Sequence, residues 1–300
     1  MKRRGFLIAL SAIAGGGGAM AVLNSKTHKG SSENGNSSVT GSRLPALFIG
    51  HGSPMDIVDK NRFTENLRKI GESLPKPKAI LCISAHWETN GTKVLASDRP
   101  KQIYDFYGFP QELYEVSYKP EGAKGIADSV VPLVQGKGLK AETSSDWGLD
   151  HGTWSVLHHL YPSADVPTFQ LSLDRGASLE SHFEMARAIS ELRDQGVLVL
   201  GSGNIVHNLR AIDWDAEAPP RPWAVKFDGM VCDALKGGGD RLAQLEKVFS
   251  DKEISMAHPS LDHLLPLVYA AGAGTPGGDA NIISLGIQNG SVSMTSFSFA

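Results

Sequence analysis

The chain has 300 residues, of which 41% are hydrophobic, and this is enough to bury a large core in one domain. Its 29 basic and 32 acidic side chains give a net charge of -3, so the composition does not favour a nucleic acid or an anionic membrane as a partner. The two cysteines, Cys82 and Cys232, lie in apolar stretches. We interpret both as small buried hydrophobic residues, and a disulfide between them is not favoured.

The first 21 residues predict an export signal. Arg3 and Arg4 precede an apolar run, and Ala19-Met20-Ala21 has the small-x-small pattern of a signal-peptidase site. The arginine pair followed by Gly-Phe-Leu resembles a twin-arginine signal, which predicts transfer to the periplasm by the twin-arginine export machinery. The alternatives are an ordinary secretory signal or an N-terminal anchor, although the run is short of the ~20 residues that span a bilayer. The polar residues 22–43 are interpreted as a flexible tether.

Strands and helices alternate along residues 44–300. Short apolar runs bounded by turn residues predict strands at 47–50, 79–85, 93–96, 139–143, 166–173, 197–201, 282–285 and 292–299. Apolar residues at helical spacing predict helices at 61–73, 122–135, 154–160, 178–195, 223–236, 241–249 and through 264–271. This order predicts a single α/β domain with a central mixed, mostly parallel sheet flanked by helices.

Histidines follow three of the predicted buried strands. His51 and His86 come directly after 47–50 and 79–85, and His207 comes a few residues after 197–201. His263 lies at a similar junction before an apolar helix. Ligands collect at the carboxyl ends of parallel strands, and imidazole is a ligand for zinc, iron, copper and nickel. Taken singly each histidine is more often structural, but together His51, His86, His207 and His263 predict one divalent metal ion per chain.

Carboxylates and aromatic residues lie near these histidines in the sequence. Glu88, Asp150 and Asp262 are each either a further metal ligand or a group that orients a histidine. The aromatic residues of the irregular segment 103–118 form either a lid over the core or the wall of an aromatic-ligand pocket, and plain packing is favoured. Three other histidines lie on helical stretches and are assigned to the surface or to packing: His158, His159 and His182.

Five motifs resemble those of the extradiol ring-opening dioxygenases of the 4,5-DOPA dioxygenase type, which belong to class III. They occur in the same order as in that family, and the resemblance extends over about residues 44–300. The motifs are Gly-His-Gly-Ser-Pro-Met at 50–55, Ser-Ala-His-Trp at 84–87, Trp-Gly-Leu-Asp-His-Gly at 147–152, Gly-Ser-Gly-Asn-Ile-Val-His-Asn at 201–208 and Asp-His at 262–263. The resemblance implies that residues 44–300 are a catalytic domain.

The resemblance also implies roles for individual residues. His51, His86 and His263 correspond to metal-site residues, and His207 lies at the metal as a ligand or as an acid/base. His151 corresponds to the residue that moves protons on the substrate. His258 is expected to support the site from outside the ligand set. Three aromatic side chains are candidates for the wall around the substrate: Tyr104, Phe106 and Tyr107.

The implied activity is that of an oxidoreductase that opens the ring of a catechol, such as DOPA, with dioxygen. The family is described with zinc in bacterial members and with iron(II) in the ring-cleaving ones, and because zinc has no redox chemistry, ring cleavage implies iron(II). Two alternatives stay open at this point. One is a zinc hydrolase with His151 or Asp150 as the base, and the other is an exported metal-binding protein without catalysis.

Overall fold

The computed structural model describes residues 43–236 and 238–300. The predicted export signal, residues 1–21, and all but the last residue of the predicted tether, 22–43, lie outside the described residues. Within the two described ranges, no helix is both long enough and apolar enough to cross a membrane.

The described chain forms twelve strands, nine α-helices and three short 3-10 helices. The strands are β1 (Ala46–Gly50), β2 (Ala79–Ser84), β3 (Glu88–Thr89), β4 (Lys93–Leu95), β5 (Glu142–Ser144), β6 (Thr168–Gln170), β7 (Leu173–Asp174), β8 (Val197–Gly203), β9 (Ala280–Ser284), β10 (Ile287–Gln288), β11 (Val292–Ser293) and β12 (Ser296–Phe299). The α-helices are α1 (Arg62–Ser73), α2 (Gln111–Glu115), α3 (Lys124–Gln135), α4 (His151–Leu160), α5 (Leu179–Ile189), α6 (Pro222–Leu235), α7 (Arg241–Phe249), α8 (Ile254–Ala257) and α9 (Leu265–Ala273). The 3-10 helices are Pro54–Ile57, Ser190–Gln195 and Leu209–Ala211.

Six strands form the central sheet in the order β6-β2-β8-β1-β12-β9. The first four are parallel to one another, whereas β12 and β9 pair antiparallel at one edge. The remaining strands form three two-stranded ladders, β3 with β7, β4 with β5 and β10 with β11. The predicted mixed, mostly parallel sheet is confirmed.

Two apolar cores cover the two faces of this sheet. Side chains alternate between the faces of a strand, so Phe48 joins one core with α5 and α9, whereas Leu47 and Ile49 join the other with α1 and α4. Strands buried on both faces read as continuous apolar runs, which is why β1, β2 and β8 are evident in the sequence.

Several predicted boundaries differ from the structure for local reasons. Helix α4 begins at His151 and not at 154, because the side chain of Asp150 accepts a hydrogen bond from Thr153 N and caps the helix. The predicted helix 178–195 changes to a 3-10 helix at Ser190. The predicted strands 166–173 and 292–299 are each two short strands. Both cysteines are buried and free, in agreement with their interpretation as small buried hydrophobic residues.

Candidate metal centre and active site

Three neighbouring parallel strands bring histidines to one edge of the sheet. Strand β8 lies between β1 and β2. His51 N donates to the Gly203 carbonyl at 3.0 Å, and Ala85 N, just before His86, donates to the Ser202 carbonyl at 3.0 Å. The carboxyl ends of β1 and β2 therefore carry their histidines to the same place, as the sequence pattern predicts.

His263 reaches this edge from the segment that precedes α9. Its carbonyl accepts a hydrogen bond from Asn204 N at 2.8 Å, which ties the segment to the residue that follows β8. A Cβ atom on Gly203 would collide with that carbonyl. Glycine at 203 therefore allows the backbone of His263 to lie directly against the strand end.

His51, His86 and His263 form a set in which one potential ligand atom per residue lies within 4.8 Å of the others. The Nε2 atoms of His51 and His86 are 3.4 Å apart. The Nε2 atom of His263 is buried and has no hydrogen-bond partner among the described residues. These three imidazoles therefore point toward a shared space.

The other nitrogen of two of these rings is held by an acceptor. His51 Nδ1 lies 3.1 Å from Ser202 Oγ, whose own hydroxyl donates to the Gly152 carbonyl at 2.5 Å, so this oxygen accepts from His51. His263 Nδ1 lies 2.5 Å from Asp262 Oδ2. Both contacts place the ring proton on Nδ1 and leave a lone pair on Nε2, as expected for histidines that bind a metal.

The donor set fits a divalent metal ion. Lone pairs that face each other at 3.4 Å repel unless a cation lies between them, and nitrogens bound about 2.0–2.1 Å from a tetrahedral ion lie about 3.4 Å apart. Burial, followed by the neighbouring histidines, lowers the pKa of His51 and His263 well below the usual value. Burial also lowers the pKa of His86 to about 4. The three imidazoles are thus neutral near pH 7, which is the form that binds metal.

Asp105 is a site residue that the sequence analysis did not single out. Its Oδ2 lies 3.3 Å from His86 Nδ1 and 3.0 Å from His151 Nδ1, and its Oδ1 accepts a hydrogen bond from His151 N at 2.8 Å. His151 and His86 hold the pKa of this carboxyl below its usual value, against the opposing effect of burial. The one signal in the sequence is a carboxylate between Tyr104 and Phe106, inside the segment that is otherwise notable for its aromatic residues.

A second set of possible ligands, His86, Asp105 and His151, shares His86 with the first. The Oδ2 atom of Asp105 lies 3.0 and 3.3 Å from the two Nδ1 atoms, which are ion-pair distances, and His151 Nδ1 has no hydrogen-bond partner among the described residues. The backbone N–H of His151 holds this carboxylate beside both rings. The carboxylate therefore fits the role of orienting His86 and His151 better than that of a ligand. His151 then keeps its Nε2 for the cavity.

His207 is placed differently from the other three predicted ligands. Its ring stacks on His263, with centroids 3.5 Å apart and planes within 8°. It lines the same cavity but is not in the set whose ligand atoms converge within 4.8 Å. Burial lowers its pKa below the usual value. The geometry brings His207 to the site beside the cluster, and its role stays a prediction.

The other predicted polar neighbours divide into three groups. Asp262 holds His263 directly. Asp150 accepts from Ser84 Oγ at 2.6 Å, and that oxygen accepts from His86 N at 3.2 Å, so Asp150 supports the turn behind His86. The expectation is wrong for Glu88, whose carboxylate lies 3.7 Å from Arg175 Nε and does not line the cavity.

Four further histidines lie outside the cavity lining. His258 Nε2 donates to the Ile205 carbonyl at 2.6 Å and so supports the segment that carries His207, as expected for a residue outside the ligand set. His182 Nδ1 contacts Tyr269 Oη at 3.0 Å in the core. His159 Nε2 donates to the Asp56 carbonyl at 2.8 Å, and His158 is half-buried beside it. These positions agree with the assignment of His158, His159 and His182 to packing or surface.

A cavity of about 590 Å³ opens in front of the histidine cluster. Phe106 contributes to its wall and meets the His151 ring edge-on at 5.5 Å between centroids. Tyr107 also lines it, whereas Tyr104 packs behind against Trp154 at 5.5 Å. The segment 103–118 is thus partly cavity wall and partly packing. Phe106 and Tyr107 lie where the resemblance placed them, whereas the expectation of a wall position is wrong for Tyr104.

Comparisons with known proteins agree with this geometry. A family model described as the catalytic LigB subunit of aromatic ring-opening dioxygenase matches residues 44–299. A 4,5-DOPA dioxygenase extradiol from Escherichia coli K12 is 40% identical over 259 residues, covering 86% of this chain and 95% of that protein. The Beta vulgaris protein of the same name is 36% identical, covering 84% and 95%. The crystal structure of an uncharacterized protein from Escherichia coli K12 matches with a TM-score of 0.75 and 37% identity, covering 86% of this chain and all of that one.

The chain therefore belongs to the LigB family of aromatic ring-opening dioxygenase catalytic subunits. It is an extradiol ring-cleaving dioxygenase, an oxidoreductase of a metal-dependent family that acts on aromatic substrates with dioxygen. The two alternatives, a zinc hydrolase and a metal-binding protein without catalysis, are not favoured by these relatives.

Proposed function

We propose that the enzyme opens the ring of a catechol beside its two hydroxyl groups, with iron(II) held by His51, His86 and His263. The observation that carries this proposal is the convergence of three neutral imidazoles below a cavity with an aromatic wall. Both atoms of dioxygen enter the product, and the carbon–carbon bond next to the diol breaks to give one carboxylate and one aldehyde.

The choice of iron(II) over zinc follows from the redox character of the reaction. A bound iron(II) ion supplies the electron transfer between the diol and dioxygen and raises the acidity of the hydroxyl groups, and zinc can supply only the second effect. Imidazole ligands accept either metal, so the three histidines do not by themselves select iron.

His151 is proposed to take a proton from a substrate hydroxyl. Asp105 holds its Nδ1 side at 3.0 Å and its backbone N–H at 2.8 Å, so the ring is fixed with Nε2 free for the cavity. An imidazole suits this task because it gains and loses protons near neutral pH. Asp105 orients the ring and stabilises the imidazolium that forms.

His207 is proposed as a second proton-handling group and not as a ligand. Its parallel stacking on His263 at 3.5 Å holds it at the edge of the cluster, and its ligand atoms lie outside the converging set. From this position in the cavity lining it can exchange a proton with the substrate.

The substrate is proposed to be a catechol with a side chain, such as DOPA. The relatives from Escherichia coli K12 and Beta vulgaris are named as 4,5-DOPA dioxygenases. The cavity of about 590 Å³ is also larger than an unsubstituted catechol requires. Phe106 offers an aromatic edge beside His151 for the ring.

The test is to prepare residues 22–300 without oxygen and to load separate samples with iron(II) or zinc. Each sample receives DOPA and a panel of simple catechols while dioxygen uptake and the absorbance of the ring-opened product are recorded. We expect stoichiometric uptake with iron(II) and none with zinc. Absence of uptake with both metals across the panel would contradict the proposed activity.

We also propose export to the periplasm through the twin-arginine pathway. The support is the Arg3-Arg4 pair before the apolar run and the small-x-small pattern at 19–21. Replacement of both arginines by lysine is expected to keep the full-length chain in the cytoplasm, as measured by cell fractionation. Unchanged periplasmic delivery would favour an ordinary secretory signal.

A further inference from the structure

Arg210 is the one lysine or arginine among the described residues that line the cavity. It lies three positions after His207, within the 3-10 helix Leu209–Ala211, and its side chain is exposed. The guanidinium group makes no hydrogen bond or ion pair with another described residue; the contact found for Arg210 is that of its backbone N–H. A cationic group therefore stands at the cavity without a protein anion to neutralise it.

The carboxylates of the cavity are engaged elsewhere. Asp105 lies against His86 and His151, and Asp262 lies against His263. Neither carboxylate forms an ion pair with Arg210, and the second oxygen of Asp262, Oδ1, is buried away from solvent. An anion that arrives with the substrate would therefore meet an unpaired guanidinium group.

The backbone that carries Arg210 is held firmly. Arg210 N donates to the side-chain oxygen of Asn208 at 3.0 Å. The amide group of Asn208 donates to the Met256 carbonyl at 2.7 Å, and its backbone carbonyl accepts from Ser291 Oγ at 3.0 Å. The position of Arg210 relative to the cavity is thus set by contacts to two other segments.

We propose that Arg210 binds a carboxylate group on the side chain of the catechol and so determines which catechols the enzyme prefers. This inference rests on the proposed function, because it assumes that the catechol occupies the same cavity. The planar guanidinium group donates two parallel hydrogen bonds to a carboxylate, a geometry that a neutral or cationic side chain on the substrate cannot accept. Substrates with a free carboxylate are bound more tightly than the same catechols without one.

DOPA and dopamine provide the matched pair of substrates, since they differ only in the carboxylate. The experiment compares kcat and KM of the iron(II)-loaded wild-type enzyme with those of Arg210→Gln. The control is Arg99→Gln, which removes an exposed arginine that does not line the cavity. We expect Arg210→Gln to raise KM for DOPA by up to about tenfold, as for a charge-assisted pair at an exposed position. KM for dopamine and kcat for both substrates should stay nearly unchanged.

A binding measurement separates this inference from the proposed activity. The zinc-loaded protein, which is expected to bind catechols without cleaving them, is titrated with DOPA and with dopamine by calorimetry. Arg210→Gln is expected to weaken DOPA binding alone. An equal loss of affinity for both ligands, or no loss of affinity for either, would overturn the role of Arg210. If the wild-type iron(II) enzyme cleaves neither compound, the proposed activity fails while the titration still decides the inference.

Discussion

The floor of the cavity and its mouth are built in different ways. The floor is formed by His51 and His86, which follow strand ends, and by His263, whose segment is hydrogen-bonded to the residue after β8; His51 and His263 are each only 5% exposed. The mouth, formed by Tyr107, Leu209, Arg210 and Trp214, lies on connecting segments, where Tyr107 is 91% and Trp214 is 83% exposed. The sheet thus positions the metal-site histidines, whereas the connecting segments are free to determine which substrate enters.

Removal of a floor residue gives the largest expected effect. His263→Ala deletes a buried imidazole whose Nε2 has no hydrogen-bond partner among the described residues, so it should abolish metal binding and reduce turnover below detection. Metal content by mass spectrometry and dioxygen uptake are the two readouts. His158→Gln, outside the cavity, is the control and should keep both. A variant without His263 that retained full metal content would exclude it from the ligand set.

Removal of the carboxylate beside His86 of the floor and beside His151 should have a smaller effect on turnover. Asp105→Asn removes the negative charge beside His86 and His151, and we expect kcat to fall by about 10–100-fold, as for other partners of metal ligands and bases. Asp98→Asn, an exposed aspartate outside the cavity, is the matched control. If Asp105→Asn kept wild-type kcat and metal affinity, the carboxylate would be a structural contact only.

Low pH should destabilise the folded metal-free protein through the buried histidines of the floor. The pKa of His86 is lowered to about 4, and those of His51 and His263 lie well below their usual value. The unfolded chain takes up protons first as the pH falls below about 6.5, so the free energy of unfolding is expected to drop by about 1.4 kcal/mol per pH unit for each such group. Above about 6.5 this contribution is constant.

Urea unfolding of the metal-free protein at several pH values measures this slope. His263→Ala should make the slope shallower, because one of the groups that cannot accept a proton in the folded state is gone. A free energy of unfolding that stayed constant between about pH 6.5 and about pH 4 would contradict the burial of neutral imidazoles in the floor.

Substitution of a residue at the mouth of the cavity should have the smallest effect on catalysis. Tyr107→Ala removes an exposed ring at the cavity entrance, and because the ring is largely solvated, we expect KM for DOPA to rise about two- to fivefold with kcat unchanged. Steady-state kinetics with the iron(II) enzyme measures this change. A large fall in kcat would show that Tyr107 reaches the reacting groups and that the floor and the mouth are not separate.

The difference between strand ends and connecting segments also explains which site residues could be predicted from the sequence. Strands β1, β2 and β8 are continuous apolar runs followed by histidines, so the parallel sheet and the meeting of His51 and His86 could be expected from local patterns. The sequence-based expectation also included His263, through its position at a junction and through the motif that contains Asp262.

Residues on loops could not be placed in this way. Asp105 is brought to His86 and His151 by the irregular segment 103–118, and no periodic pattern fixes where such a segment folds. Glu88 follows His86 by two residues, yet β3 pairs with β7 and directs its carboxylate to Arg175. Proximity to a histidine in the sequence therefore does not predict whether a carboxylate reaches the site.

The origin of the oxygen atoms in the product distinguishes ring cleavage by dioxygen from hydrolysis. The iron(II)-loaded enzyme is supplied with a catechol and with dioxygen labelled with the heavy oxygen isotope, and the ring-opened product is analysed by mass spectrometry. We predict that both labelled atoms appear in one product molecule, one in the carboxylate and one in the aldehyde before exchange with water. A product that takes its new oxygen only from water would contradict the account and indicate hydrolysis at the same histidines.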